Sequence, residues 1–503
     1  VSRPRWGKKD GARYFQSVPG VNPRRDMFVH NNTLRNLHRG IVERVLFLSK
    51  GGRLVPCPRP TSRIVLARTT EFRLALLRKL PSTTPCALGE FPMLYEGRKR
   101  LIAQQAVDSL MQVPVQRRDA RLKWFIKYEK LDATTKGDPA PRVISPRDPR
   151  YNVSVGVWLK PAEHKLFKGI ARVWGDKTVA KGVNAQQVGA MIASKWHSFH
   201  RPVAIGLDAK RFDQHTSYEM MRYFEHLVYR GWFRDPEFNR LIAWQLDNEG
   251  SGYTPDGKVK ANVRGCRMSG DMNTSSGNCL IMCCLVWSYA REKGVTCKLI
   301  NNGDDCVVFM ETRDYHRFSD GLRQWFLDLG YDMKVEDPVY ELEKIEFCQA
   351  HPVAVGDGDY VMVRNIKSAL AKDSMALINA DHPDSLAAWC ASVGKGGVAC
   401  YGDIPILGSF YRYYERQGEV NQRWVKTYQK RGFDYLSRGM NRGDAGIKPG
   451  TRLSFYVAFG ILPVQQEALE AYFDGLGTIP RLIPQDPFEL SPQLTDTLTT
   501  LLE

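Results

Sequence analysis

No stretch of this chain is both long and apolar enough to cross a bilayer as a helix, which takes about 20 residues. The two longest candidates, residues 279–287 and 453–464, fall short and read as core segments. The opening residues carry no signal-peptide pattern. The 11 cysteines form no Cys-x2-Cys pair and no Cys/His set at zinc spacing. That excludes zinc ribbons and fingers, and predicts reduced thiols in a cytosolic setting. There is no internal repeat and no low-complexity tract, so solenoids and disordered arrays are excluded. Acidic residues are also short: 54 Asp and Glu face 72 Lys and Arg, a formal net charge of +18. Such an excess fits a polyanion such as nucleic acid, bound more weakly as salt rises. With 503 residues and 43% hydrophobic composition, the chain can bury a large core divided among subdomains.

What is present is most informative at Ile300-Asn301-Asn302-Gly303-Asp304-Asp305-Cys306. Two adjacent carboxylates sit on a glycine turn between the apolar stretches 295–300 and 306–310, a pattern that reads as a β-hairpin. Two such anions about 4 Å apart repel by roughly 4 kcal/mol at an effective dielectric of about 20, which a divalent cation would relieve. In isolation the motif reads first as a solvated turn. A second acidic pair changes the balance. Val203, Ile205 and Leu207 alternate with small residues as a strand that delivers Asp208 at its end, and Asp213 follows five residues later. Met221, Phe224, Leu227 and Val228 then recur at helical spacing. If the strand of Asp208 pairs beside the hairpin, three carboxylates meet in a cluster able to hold two Mg²⁺ ions for in-line phosphoryl transfer.

Between these elements, residues 265–278 form a small, polar, Gly-rich loop carrying Ser269, Gly270, Thr274 and Asn278. It leads into residues 279–287, which are apolar all round and predict a buried helix. The loop reads either as an ordinary helix cap or as backbone that closely approaches a ligand.

Asp208-x4-Asp213, Ser269-Gly270-x3-Thr274-x3-Asn278 and Gly303-Asp304-Asp305 resemble, in order and spacing, motifs A, B and C of viral RNA-dependent RNA polymerases. The wording is most similar to the plant tombusvirus family, including its carmovirus-like and dianthovirus-like members, and more distantly to hepatitis C and pestivirus polymerases. The resemblance covers roughly residues 85–370. It implies an α+β right-hand polymerase with fingers, palm and thumb, an antiparallel-sheet palm and encircling fingertips. It implies that Asp208 and Asp304, supported by Asp305, bind two Mg²⁺ or Mn²⁺ ions. Asp213, Ser269, Thr274 and Asn278 match the network around the ribose 2′-hydroxyl. Residues 123–130 and 141–147 resemble motif F, in which Arg142 matches the arginine that grips the triphosphate, with Lys127, Lys130 and Arg147 beside it.

Further carry-overs follow from the same resemblance. Arg98, Lys99 and Arg100, in a basic signature similar to the tombusvirus group's, are expected to contact template RNA, as is Gly270. Cys348, in a segment resembling motif E, is expected on the primer-grip hairpin. Lys334 lies where motif D places a general acid, and Arg364 where an arginine meets the initiating nucleotide. The expected partners are template and product RNA, nucleoside triphosphates, a viral auxiliary replicase protein and host factors. The expected location is the host cytoplasm, at membrane-bound replication complexes. Since the chain begins at Val1, it is expected to be part of a larger product whose membrane anchor lies upstream.

The organisation expected is fingers over residues 1–200, palm over 201–213 and 263–350, a fingers insertion over 214–262, and thumb with C-terminal tail over 351–503. Residues 247–257 read as a turn-rich excursion. Tyr315 to Leu329 read as one helix stopped at Gly330, and residues 463–475 as a helix with Pro at its start and Gly at its end. Basic residues crowd the N-terminus: Arg3, Arg5, Lys8, Lys9, Arg13, Arg24 and Arg25. The tail, residues 483–503, is Pro-interrupted and then amphipathic, and reads either as a plain terminal segment or as one that folds into the cleft and regulates initiation. An RNA-binding scaffold without catalysis is the alternative of another class, opposed by the presence of all three carboxylates. A reverse transcriptase is disfavoured by Asp213, and a two-metal nuclease by the motif order.

Overall fold

Because strand residues alternate between faces and helix residues return every three to four, the apolar pattern here builds sheets covered by helices. A computed structural model describes residues 11–378, 384–419, 436–443, 446–479 and 492–502. In chain order the main elements are α1 (Leu34–Ile41), α2 (Ser62–Lys79), α3 (Gly97–Gln112), β1 (Leu122–Ile126), β2 (Val143–Ile144), α4 (Pro149–Trp174) and α5 (Ala185–Trp196). Next come β3 (Pro202–Ala209), β4 (Asp247–Thr254), β5 (Gly257–Arg264), α6 (Thr274–Lys293), β6 (Cys297–Asn302) and β7 (Asp305–Glu311). The remainder includes α7 (Tyr315–Ser319), α8 (Leu322–Asp328), β8 (Met333–Val335), β9 (Ala350–Gly356), β10 (Asp359–Arg364), α9 (Ser385–Tyr401), α10 (Leu407–Glu415) and α11 (Pro463–Gly475).

The central sheet has the order β6–β7–β3–β8, with every neighbour antiparallel. Val203, Ile205, Leu207, Cys306 and Val308 fall on one face and share a core with Phe72 of α2, residues 279–286 of α6, and Trp325 of α8. Ala204, Ile300, Val307 and Phe309 fall on the other, in a core that runs through Val353 and Val361 to Trp389, Tyr411 and Phe473. The central sheet is therefore buried on both faces along most of its length, and only its end is free to do chemistry.

A second sheet, β5–β4–β1–β2, brings residues 247–264 back to pair with residues 122–144. β1 runs parallel to β4, and the other pairs are antiparallel. Its inner face packs Leu122, Trp124, Ile126, Val259 and Val263 on Leu34, Leu37 and Ile41 of α1. The turn-rich reading of residues 247–257 is therefore corrected to the strand Asp247–Thr254, with a tight turn only at residues 255–256. Gly250 and Gly252 misled it: a Cβ at Gly250 would lie 2.3 Å from the Trp124 ring, and one at Gly252 2.9 Å from the Trp124 carbonyl oxygen. Glycine marks close approach here, not a turn.

Two further expectations change. The helix over 315–329 is two helices, α7 and α8, broken at Gly321 with φ of 73°. The tail does not trail: Leu498 and Leu502 of the helix Pro492–Leu502 are buried in the core that contains Phe473. Helix α11 spans the expected residues. Among the N-terminal basic residues, Arg3, Arg5, Lys8 and Lys9 lie outside the described residues.

The two ends of the chain are tied together. Gln16–Ser17 pairs antiparallel with Met375–Ala376, and Tyr472 of α11 donates to the Gly20 carbonyl at 2.6 Å. Lys130 Nζ donates to the Lys372 carbonyl at 2.5 Å and stands 5.3 Å from the Trp389 ring centroid. Among the described residues, no helix is long and apolar enough to cross a membrane.

Candidate active site

The hairpin β6–β7 pairs Asn302 with Asp305, which leaves Gly303-Asp304 as a two-residue turn. Gly303 takes φ of 94°, open to glycine and strained for other residues. Asn301, wholly buried, clamps the turn from below: its Nδ2 donates to the Gly303 carbonyl at 2.7 Å, and its Oδ1 accepts from the Gly303 N–H at 3.1 Å. On the other side β7 pairs with β3 so that Asp305 stands directly opposite Asp208. β8 pairs Lys334 opposite the same Asp208. Residues directly paired across a sheet project to the same face. The register thus sets Asp305, Asp208 and Lys334 in one row at the open end of the sheet, with Asp304 at the tip beside them.

The electrostatics agree with this placement. Burial raises the Asp304 carboxyl above its ordinary range, and the charge of Asp208 raises it further, while Lys181 and Arg142 oppose the shift. Asp305 is pushed up to about 6, first by burial and then by Asp304 and Asp208, against the Cys348 N–H that holds it down. Asp304 is exposed at the surface yet partly desolvated, as expected of a group on the floor of a cleft. Carboxylates crowded in this way favour a hard divalent cation. Among the described residues no three His, Cys, Asp or Glu form a closed ligand set. Asp305 accounts for part of this, since one of its oxygens accepts from Cys348 N at 2.9 Å. The open pair Asp208 and Asp304, with Asp305 behind, still fits Mg²⁺, which keeps waters and takes few protein carboxylates.

Asp213 lies in the short helix Phe212–His215 that follows β3 and is reached by the polar loop. Asn278 Nδ2 donates to its Oδ1 at 2.7 Å. Burial raises the Asp213 carboxyl, while the Asn278 amide and the Arg267 charge hold it down. Asn278 is itself fixed from behind: Arg267 Nε donates to its Oδ1 at 3.1 Å, and Arg267 forms a fully buried ion pair with Glu225. Asn273 Nδ2 donates to the other Glu225 oxygen at 2.7 Å. Gly277 makes room for this pair, since a Cβ there would lie 2.3 Å from Glu225 Oε1. Sequence reading missed Glu225, Asn273 and Arg267 because they are far apart in the chain and individually unremarkable. It also missed Lys181, placed beside Asp304 by a bridge between Val179 and Asn301.

The remaining expected residues divide. Ser269 Oγ accepts from Ser145 N at 3.2 Å and donates to the Val143 carbonyl at 3.4 Å, tying the loop to the segment that carries Arg142. Arg142 and Lys127 both pair with Glu129, at 3.2 and 3.0 Å, and Arg142 is half exposed. Arg98, Lys99 and Arg100 lie exposed at the start of α3. Lys334 is exposed, 3.8 Å from Glu336.

Five placements are corrected. Thr274 is not turned to Asp213: its hydroxyl lies 2.7 Å from the Met268 carbonyl and 2.9 Å from that of Asp271, stitching the start of α6. Arg147 cannot meet a nucleotide, because its fully buried side chain is paired with Asp271 at 2.5 Å and bonded to the Ala120 carbonyl at 2.7 Å. Gly270 packs on Pro146, where a Cβ would lie 2.4 Å from Cα, which explains glycine there without RNA. Arg364 is held by Asp373 at 2.6 Å and by Tyr411, since an enclosed guanidinium requires such partners. Lys130 is likewise committed to the Lys372 carbonyl and Trp389.

Cys348 serves through its backbone. Cys348 and Gln349 both take positive φ, 53° and 60°, in the turn bridged by Phe347 and Ala350. That conformation costs non-glycine residues on the order of 1–3 kcal/mol each. Here it aims the Cys348 N–H at Asp305.

Residues 4–479 match the family model described as Viral RNA dependent RNA polymerase. The RNA-directed RNA polymerase of Turnip crinkle virus is 43% identical over 485 residues, covering 95% of this chain and 61% of the relative. That of Tobacco necrosis virus (strain A) is 40% identical over 488 residues, covering 96% and 67%. That of Tomato bushy stunt virus (strain Cherry) is 41% identical over 460 residues, covering 90% and 55%. The chain thus spans 61% of the Turnip crinkle virus relative's length and comparable shares of the others.

The buried Arg267–Glu225 pair yields a stability prediction. Glu225→Ala leaves a charged guanidinium unpaired in the core and is expected to cost about 3–5 kcal/mol. The check is the urea midpoint followed by tryptophan fluorescence, which should fall well below that of wild type. An unchanged midpoint would show that the pair does not hold the loop.

Proposed function

The chain belongs to the viral RNA-dependent RNA polymerase family, and on that premise we propose that it copies an RNA template from nucleoside triphosphates by two-metal nucleotidyl transfer. In this reading the central sheet is the palm, the N-terminal region and the insertion over 214–262 are the fingers, and residues 351–503 are the thumb. The ties between the two ends of the chain support encircling fingertips. The observation that carries the reading is the register that sets Asp208 opposite Asp305, with Asp304 at the turn between paired strands.

Asp208 and Asp304 would hold the two Mg²⁺ or Mn²⁺ ions, which when bound lower the pKa of the attacking hydroxyl and neutralise charge on the triphosphate. The chain's own residues then position and select. Asp305, fixed by the Cys348 N–H, keeps the turn aligned with β3. Asp213, held by Asn278, presents a free carboxylate oxygen that accepts from a ribose 2′-hydroxyl, a contact that a deoxynucleotide lacks. Arg142 and Lys127, exchanging Glu129 for substrate, hold the triphosphate. Lys334, beside Asp208 in register, protonates the departing pyrophosphate. Initiation without a primer, an auxiliary replicase protein, host factors and membrane attachment through an upstream region complete the proposal. So does action at membrane-bound complexes in the host cytoplasm.

Incorporation of labelled nucleotide on a short unprimed RNA with Mg²⁺ or Mn²⁺ tests it. Wild type should make product, and Asp304→Asn should make none while still binding RNA. RNA binding without synthesis by wild type, even on an annealed primer, would favour a scaffold. The role of Asp213 predicts that Asp213→Ala lowers the preference for ribonucleotides over deoxynucleotides about 10-fold or more, since a site built to bond a hydroxyl rejects its absence strongly. An unchanged ratio would remove Asp213 from sugar selection.

A further inference from the structure

The outer face of the sheet β5–β4–β1–β2 has no part in the site described above, and its residues are unusual for a solvated surface. Side chains of one strand alternate between faces, and the inner face is identified by Trp124, Val259 and Val263 in the core with α1. Lys123 and Phe125 of β1, Ser251 and Tyr253 of β4, and Lys258, Lys260 and Arg264 of β5 therefore share the outer face. The register places them together: Lys258 pairs with Tyr253, Lys260 with Ser251, and Lys123 with Ser251 across the parallel β1–β4 ladder. Extending that ladder by two residues from Lys123 and Ser251 sets Phe125 beside Tyr253, on strands roughly 4.8 Å apart.

Both rings are open. Phe125 is 46% exposed and Tyr253 61%, whereas about half of the aromatic side chains among the described residues are buried. Lysines flank them: Lys258 Nζ lies 4.5 Å from the Tyr253 ring centroid, and Lys123, two residues before Phe125 on β1, has its side chain 65% exposed, while Arg264 at the far end of β5 lies over the Tyr218 ring. Carboxylates share the face, with Lys123 pairing Asp148 at 3.0 Å and Arg264 near Asp247 at 3.9 Å. Exposed pairs of this kind contribute little to stability and exchange readily for phosphate. The face also leads toward the site, because Phe125 is followed by Lys127, whose N–H donates to the Arg142 carbonyl at 2.8 Å.

Two adjacent exposed rings on a sheet, flanked by lysines, suit one ligand class above others. Bases have flat π-faces that stack on aromatic rings without regard to sequence, and the phosphates between them meet the cations. A duplex hides its bases in the stack, and a lipid surface calls for aliphatic groups that penetrate it. We propose that the outer face of this sheet, through Phe125 and Tyr253, is a stacking platform for single-stranded RNA, in line with the approach to the catalytic carboxylates. The proposal rests on the polymerase reading for the identity of its ligand.

The test is fluorescence anisotropy of the full chain with a labelled single-stranded RNA of about 12 nucleotides, a length of the order such sites bind. Phe125→Ala and Tyr253→Ala should each weaken binding about 10-fold, and Tyr253→Phe should leave it unchanged, since a stacked ring needs no hydroxyl. Lys258→Gln with Lys260→Gln should flatten the slope of log affinity against log salt by about 1 to 1.5. Because all four side chains are at the surface, melting temperatures should match wild type. Wild-type affinity in the Phe125→Ala Tyr253→Ala double variant would overturn the platform and leave the polymerase reading intact if wild type still synthesises RNA. Equal losses for Tyr253→Phe and Tyr253→Ala would overturn stacking. Loss of binding to anionic vesicles with RNA affinity unchanged would reassign the face to a membrane.

Discussion

The cross-strand register between β3 and β7 is the constraint on which the rest of the site depends. Side chains on paired strands alternate with a period of two, so a slip of one residue would turn Asp208 into the helix-packed core and bring Leu207 to the cleft. The two faces of the strand forbid that slip. Val203, Ile205 and Leu207 are buried against α2, α6 and α8, and Gly206 on the opposite face is covered by Glu336. Hydrophobic burial thereby fixes the position of charges that would otherwise repel one another. The folding energy comes from the core, and the cost of crowding carboxylates falls on its margin.

A second tier of contacts makes that margin rigid. Asn301 clamps the Gly303-Asp304 turn, the strained turn at Cys348 reaches Asp305, and Arg267 with Glu225 holds Asn278 against Asp213. Each of these partners comes from a different segment of the chain. Positioning of this kind is what lets a sparse site act, because a misplacement of an ångström is costly in any reaction that depends on alignment. The ionic pair at Arg267 also explains why small and polar residues fill the loop before α6. Gly277 leaves room for the pair, Asn273 bonds its second carboxylate oxygen, and Asn278 accepts from its guanidinium.

The clustered carboxylates were legible in the sequence because turn chemistry and alternation are local signals. Gly303 announced the turn, and Val203, Ile205 and Leu207 announced the strand that carries Asp208. The sheet pairing then followed from a single assumption about which strands are neighbours. Several of the errors share one physical cause: the sequence does not display long-range contacts. Arg147 and Arg364 look like free cations in loops until Asp271 and Asp373 are found beside them. Thr274 and Gly270 stand in a motif expected to contact the sugar and the template, yet local backbone bonding and the approach of Pro146 account for both. Gly250 and Gly252 suggested turns because Trp124, whose indole excludes a side chain at the first and whose backbone crowds the second, lies more than a hundred residues away. Lys181 gave no local signal at all.

The most direct test of the central claim is metal binding at Asp208 and Asp304, measured apart from synthesis. Electron paramagnetic resonance of Mn²⁺ titrated into the full chain without RNA or nucleotide reports bound against free ion. Binding by wild type that is weakened in both Asp208→Asn and Asp304→Asn, and kept in Asp332→Asn, whose carboxylate pairs with Lys210 and Arg323, is the predicted result. Equal Mn²⁺ binding by all four proteins would mean that the register does not build a metal site there.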